Sequence, residues 1–289
     1  MDKPNTPQNQ SETIPSSFPP LQIHPTSLIH PSSLPLIHPT ATIGPFCLVG
    51  PNVSIGARTV LLSHVSIPSN TALSADCTVH PFSVLGGASQ AIADKALGDT
   101  GRLTLGNNCT IREGVTCNVG FSEKGTVIGS GCLLMANSHV AHDCIVGDEV
   151  ILVNGVLLAG HVTVGRGAIF AGLGGAVQHV RVGEYAYVGG ATVVSRDVLP
   201  FSMVKGYRGL TVGVNAVGLK RRGWSRERIE GVSRAVKAVL RSDEKVLREL
   251  VQELVNEGAD DVARLMDFAR ESERGLCLLL GQERGITKL

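Results

Sequence analysis

Aromatic side chains are scarce in this 289-residue sequence: one Trp, three Tyr and seven Phe. A core with so few rings must be narrow and filled by aliphatic groups, which suits a solenoid. An excess of charge of one sign is also missing. The 26 Lys and Arg nearly balance the 25 Asp and Glu, leaving a net +1, which argues against general binding to nucleic-acid backbones. No apolar run is long enough to cross a bilayer. Seven cysteines are present, but no CxxC or other zinc spacing occurs, their number is odd and nothing resembles a secretory signal. The expectation is a soluble chain in a reducing, cytoplasmic compartment, with no metal site and no cofactor.

What is present is a period of six. Aliphatic residues recur at Ile37, Ile43, Val49, Ile55, Leu61, Ile67, Leu73, Val79 and Leu85, and again from Ile128 through Leu134, Val140, Val146, Leu152, Leu158, Val164, Phe170, Ala176, Val182 and Val188 to Val194. Leu105, Ile111 and Cys117 keep the step between the two runs. Neither a helix nor an ordinary amphipathic strand has this period. It is the mark of a β-helix, in which each hexad supplies one short strand and one corner. Glycine follows the aliphatic residue at 44, 50, 56, 86, 106, 129, 147, 165, 183 and 189, as expected where a Cβ would crowd a turn. The position four after the aliphatic one is small or β-branched, a second and narrower inward slot. Cys47, Cys77, Cys109, Cys132 and Cys144 all fall in it, so these cysteines read as small core residues.

Three parts follow along the chain. Residues 1–35, rich in Pro, Ser and Thr with Lys3 as the one basic residue, are expected to be a flexible leader. The solenoid spans 36–200, interrupted at 86–104 and 118–127, and such breaks are often functional loops. Residues 201–289 hold a connecting segment and a C-terminal helical domain. Ser225 is placed to cap a helix carrying Ile229, Val232, Val236, Val239 and Leu240. A second helix is expected from near Asp243, burying Val246, Leu247, Leu250, Val251 and Leu254. A third carries Val262, Leu265, Phe268 and Ala269, and stops at a Gly275 cap.

The stretch His139-Val140-Ala141-His142-Asp143-Cys144, then Leu158-Ala159-Gly160-His161-Val162, then Asn215 and Gly218-Leu219-Lys220-Arg221-Arg222-Gly223, resembles the UDP-N-acetylglucosamine 3-O-acyltransferases of lipid A biosynthesis. The resemblance covers roughly residues 36–280 in order and spacing. It implies a left-handed parallel β-helix, triangular in section, and a homotrimer with sites between subunits. If three hexads close one coil, positions eighteen apart stack. His142, Gly160 and Gln178 then form one column, and Asp143, His161 and His179 its neighbour.

The resemblance further implies transfer of an acyl or 3-hydroxyacyl chain from acyl carrier protein to the 3-position of UDP-N-acetylglucosamine, the first step of lipid A synthesis. His142 matches the general base, Asp143 the residue that orients it, and Gly160 the backbone donor to the oxyanion. His139 and His161 match residues lining the sugar and acyl groups, Gln178 one near the nucleotide sugar, and Gly190 one along the acyl groove. Asn215, Arg221 and Arg222 match contacts to the UDP moiety. Lys220, Arg221, Arg222, Arg226 and Arg228 form a basic group suited to an acidic carrier protein. Departures lie around this core. Asn118-Val119-Gly120-Phe121 replaces a His-Arg-Gly-Thr segment, Val177 a His, Val217 an acidic residue, and Gln90 to Lys95 only loosely echoes a Gln-Asp-Leu-Lys loop. Alternative readings are another UDP-sugar acceptor such as a 3-amino analogue, a β-helix holding zinc through His139, His142, His161 or His179, and a non-catalytic scaffold.

Overall fold

The computed structural model describes residues 22–92, 100–241, 243 and 259–277. Short strands, most of two residues, follow one another around three parallel sheets of 11, 9 and 7 strands. Successive strands enter successive sheets, so the chain winds a three-sided parallel β-helix, the left-handed solenoid that the resemblance implies. Registers confirm the step of eighteen: Leu133 pairs with Ile151, Ile151 with Ile169 and Ile169 with Tyr187 on the first sheet. His139 pairs with Leu157 and Leu157 with Gly175 on the second.

The hexad residues all point inward and form one continuous aliphatic core. The second slot lies within reach of a backbone carbonyl of the next coil. The Sγ atoms of Cys77, Cys109, Cys132 and Cys144 each donate at 3.1 Å to the carbonyls of Gly106, Gly129, Gly147 and Ala159. Thr59 and Ser83 place hydroxyls on Ser74 and Arg112 in the same way, so a small donor serves there as well as Val does. All seven cysteines are buried free thiols, and burial pushes the Cys144 thiol up to about 12.

Where glycine follows the hexad aliphatic, it answers a need for close approach. A Cβ on Gly44 would lie 1.5 Å from the Leu62 carbonyl oxygen of the adjoining coil. The left-handed backbone sits further along, at Phe46, Asn52 and Arg58 and onward to Asp143, His161, His179 and Phe201. Most of these are not glycine, so the stacked coils hold side-chain-bearing residues at a φ that costs roughly 1–2 kcal/mol each.

Regular coiling begins earlier than the composition suggests. Gln22–Ile23 and Leu28–Ile29, within the segment expected to be a flexible leader, pair in parallel with Thr42–Ile43 and Leu48–Val49. Ile23 and Ile29 keep the six-residue step and pack on the core, but surrounding prolines and serines hide them in the sequence.

The far end is closed by an antiparallel hairpin, Ser202–Lys205 with Leu210–Val214, and by helices α1 (Ala216–Arg221), α2 (Arg226–Arg241) and α3 (Ala259–Arg270). Ser225 Oγ accepts from the Arg228 N–H as an N-cap should. The helix expected from Asp243 to Leu254 lies, apart from Asp243 itself, outside the described residues. Helix α3 stops at Arg270, and Gly275, left-handed at φ 74°, lies beyond it. The glycine turns the chain into a strap instead of capping the helix. Asp197 donates its N–H to the Gly275 carbonyl and accepts from the Cys277 N–H. Val232, Val236 and Leu265 pack with Phe201 under this end, bordered by Tyr185 and Trp224. Asp261, 1% exposed, takes paired hydrogen bonds from Arg228 and one from Arg264, locking α2 to α3.

Candidate active site at a solenoid corner

Both breaks in the six-residue period fall at one corner, between the second and third sheets. The chain leaves the coil after Val84–Gly87 and returns at Leu103–Leu105, and leaves again after Thr116–Asn118 to return at Thr126–Ile128. The two excursions are joined by an antiparallel bridge between Arg102 and Gly120. The next coil passes beneath them as His139–Val140, the corner Ala141 to Cys144, and Ile145–Val146.

That corner lets two sequence neighbours face each other. Asp143 is left-handed at φ 59°, and its Oδ2 lies 2.9 Å from His142 Nδ1. Both residues are buried. The second excursion supplies the rest of the Asp143 environment: its Oδ1 accepts from the Ser122 N–H at 2.7 Å, and its own N–H donates to Thr126 Oγ1 at 2.8 Å. Burial by itself raises the Asp143 carboxyl, but the hydrogen bonds from Ser122 and His142 outweigh it and hold the group below the ordinary aspartate value. An ionised carboxylate on Nδ1 fixes the imidazole so that Nε2 presents its lone pair outward.

Nε2 faces Gly160 one coil on. A Cβ added there would lie 2.4 Å from it, so the glycine is required for this approach. The Gly160 carbonyl accepts from the His179 N–H. Its own N–H donates to no backbone carbonyl among the described residues. His161 stacks at 4.6 Å on His179, the rings almost parallel, and meets the His142 ring edge-on at 5.0 Å. His161 Nε2 is 3.9 Å from Asp143 Oδ2. Gln178, at the same corner one coil after Gly160, is exposed. His139 projects from the second sheet and its Nδ1 pairs with Thr116 Oγ1 at 2.7 Å. Its partial burial holds the imidazole pKa down, which favours the neutral ring.

Against known proteins, residues 197–277 match the family description "Udp N-acetylglucosamine O-acyltransferase; Domain 2", and residues 125–160 the bacterial transferase hexapeptide repeats. The acyl-[acyl-carrier-protein]–UDP-N-acetylglucosamine O-acyltransferase of Rhizobium johnstonii is 41% identical over 86% of this chain and 93% of its own. The enzyme of that name from Thermodesulfovibrio yellowstonii is 39% identical over 89% and 99%. The crystal structure of UDP-N-acetylglucosamine O-acyltransferase from Moraxella catarrhalis superposes with a TM-score of 0.81 at 36% identity, covering 88% of this chain and 98% of that one. The chain belongs to the UDP-N-acetylglucosamine O-acyltransferase family.

In this acyltransferase the residues singled out from sequence divide into two groups. His139, His142, Asp143, Gly160, His161 and Gln178 share the second sheet and its corner with the third. Gly190, Asn215 and Arg221 are elsewhere, lining a cleft of about 570 Å³ on the outer face of the first sheet, with Tyr187, Met203 and Val217. Asn215 is committed to the fold: Oδ1 accepts from the Gly218 N–H, Nδ2 donates to the Tyr185 carbonyl, and the residue is 5% exposed. Arg222 is turned away toward Glu149 at 2.6 Å, its guanidinium 4.7 Å from the Tyr185 ring centroid. Arg228, read as part of the basic group, is occupied by Asp261 and Trp224. Val177 is half-buried against the core. Asn118 is buried beside Gly87, with Oδ1 unpartnered among the described residues. Ser122, Thr126 and Thr116, which set the two histidines and the aspartate, carried no signal in the sequence.

Proposed function

We propose that this acyltransferase moves an acyl chain from acyl carrier protein to the 3-hydroxyl of UDP-N-acetylglucosamine, opening lipid A synthesis in the cytoplasm. The observation that carries the reading is the buried His142–Asp143 pair with Nε2 poised over Gly160. A sugar hydroxyl attacks a thioester only as its proton leaves. His142 Nε2 accepts that proton while the 3-oxygen bonds to the thioester carbon. The negative charge on the former carbonyl oxygen is stabilised by the Gly160 N–H. Collapse breaks the carbon–sulfur bond, and the imidazolium returns its proton to the departing thiolate. Asp143 stays ionised throughout and stabilises the charged ring.

The two groups of residues argue for a homotrimer. The cleft with Gly190 and Arg221 opens on the first sheet, whereas His142 stands at the opposite corner of the same prism. A neighbour packed against the second sheet would bring its own cleft to His142, completing one site per interface. Leu157 and Val193 project from the second sheet, and Leu173 stands on the corner leading into it, all well exposed in one copy. Lys220 and Arg221, on an exposed end of α1, suit the acidic carrier protein; Arg228 does not serve there. Val217, 60% exposed in the cleft, gives an apolar wall, so an acceptor carrying a 3-amino group belongs in the test.

Purified protein is incubated with acyl carrier protein thioesters and with UDP-N-acetylglucosamine or its 3-amino analogue, and products are weighed by mass spectrometry. The expected product is the 3-O-acyl sugar nucleotide. His142→Ala should lower turnover by about 10²–10⁴-fold with trimer mass unchanged. Near-normal turnover in that variant would overturn the general-base assignment.

A further inference from the structure

We infer that the corner that activates the hydroxyl is also a binding site for a borderline-soft divalent cation, zinc above all, and that the ion switches the enzyme off. The inhibition half of this inference rests on the general-base reading; the binding half does not.

The donor set is on the page. One nitrogen of His142, one carboxylate oxygen of Asp143 and one nitrogen of His161 lie within 4.8 Å of one another. His142 Nδ1 and His161 Nε2 stand 2.9 and 3.9 Å from the same oxygen, Asp143 Oδ2. Zinc bonded to nitrogen and oxygen at about 2.0–2.2 Å separates tetrahedral ligand atoms by roughly 3.3 Å. The two observed separations bracket that value. Because Nδ1 and Oδ2 are hydrogen-bonded to each other at 2.9 Å, the ion would take the place of that bond, with a small parting of the His142 ring and the Asp143 carboxylate and a turn of the His161 ring, whose side chain is 40% exposed. Three protein ligands leave a fourth position for water on the solvent side of His161. Two imidazoles and one carboxylate favour zinc or cobalt over magnesium, which prefers an octahedral oxygen shell.

The consequence for the reaction follows from the two ring nitrogens. Without the ion, Nδ1 carries the proton and gives it to Asp143, and Nε2 has the lone pair that faces Gly160. A cation on Nδ1 takes that lone pair instead, so the neutral ring must carry its proton on Nε2. The base then points a hydrogen at the substrate oxygen and cannot accept another, while Asp143 is drawn onto the metal. Binding and base catalysis therefore exclude each other at the same imidazole, whether or not substrate is bound.

The test titrates the intact protein with cobalt(II) chloride and reads visible absorption, which is intense only for low-coordinate cobalt held by protein ligands. The expected result is about one four-coordinate cobalt per chain. The signal should vanish in His161→Ala and in Asp143→Ala and persist in His179→Ala, with circular dichroism certifying that each variant is folded. Zinc chloride should displace cobalt from the wild type, lower its acyl transfer, and lose that effect on addition of a chelator; magnesium chloride should do neither. No cobalt signal at millimolar metal, or an unchanged signal in folded His161→Ala, overturns the site. Bound zinc with unchanged turnover overturns the switch. Failure of metal binding with normal acyl transfer leaves the proposed function standing, and metal binding with no acyl transfer under any condition overturns the function alone.

Discussion

Replacing Gly160 by alanine would place a methyl carbon 2.4 Å from His142 Nε2. The imidazole must then rotate or retreat, because the backbone on either side is fixed by neighbouring coils. A displacement near 1 Å at a reacting group costs on the order of 10²-fold in rate. We expect Gly160→Ala to lose about that factor in kcat with an unaltered melting temperature, since no backbone atom is struck among the contacts within 3.1 Å. Asp143→Asn keeps the shape of the corner but offers Nδ1 no anionic acceptor, so the ring is free to place its proton on Nε2. Steady-state assays should show kcat falling by about 10²-fold or more with KM for the UDP-sugar little changed. At this scale the sequence carries much of the site. Counting in eighteens puts Gly160 against His142 and His161 against Asp143. What it does not carry is the orientation of Asp143. Adjacent strand residues face apart, and only the left-handed corner at Asp143 together with Ser122 and Thr126 from an aperiodic loop turns the carboxylate to the ring.

Among the elements, the strands are legible and the joints are not. A two-residue strand has no stability of its own, so each is specified by the residue it buries, and those residues recur too regularly to miss. The N-terminal coil escapes because Ile23 and Ile29, six apart from each other, stand eight residues from Ile37 across the turn at Leu34–Leu36 and so fall out of phase with the run, set among prolines. The end of α3, at Arg270, is not legible for a related reason: glycine signals a left-handed backbone, and Gly275 has one, but it serves the strap beside Asp197. The join between α2 and α3 is invisible in sequence because its partners, Arg228 and Asp261, are 33 residues apart. Their linkage is nonetheless a strong point of the helical end. Asp261→Ala removes the buried carboxylate that both guanidinium groups share, and because the Arg228 and Arg264 side chains left behind are 35% and 49% exposed, water meets part of the loss and the cost should be about 1.5–3 kcal/mol. Thermal denaturation should show a markedly lower midpoint, while Arg226→Ala, which removes an exposed pair with Glu230, should leave it within a degree or so of wild type.

For the whole molecule, assembly is the property that one copy states least directly. The apolar side chains of Leu157, Leu173 and Val193 are exposed on the face that carries His139, and their covering by a neighbour would remove them from water. If the proposed trimer forms through this face, a Leu157→Asp, Leu173→Asp double substitution should give monomer in light scattering and abolish acyl transfer, with β-sheet circular dichroism retained. A trimer that persists with full activity would place the interface elsewhere.

The backbone hydrogen bonds of the coils run along the axis of the prism, from each turn to the next. Each layer is therefore stabilised mainly by the layers above and below it, as in a one-dimensional array, and opening is easiest where a layer has one neighbour instead of two. Among the described residues Gln22–Ile23 and Leu28–Ile29 are such terminal strands, whereas the other end is clamped by the Gly275–Cys277 strap and the helices. Local opening should then have a direction. Amide exchange is expected to be fastest in the first coil and to slow steadily toward the His142 layer, so the proposed catalytic corner lies well inside the part of the array that opens last, insulated from fraying by every turn wound before it.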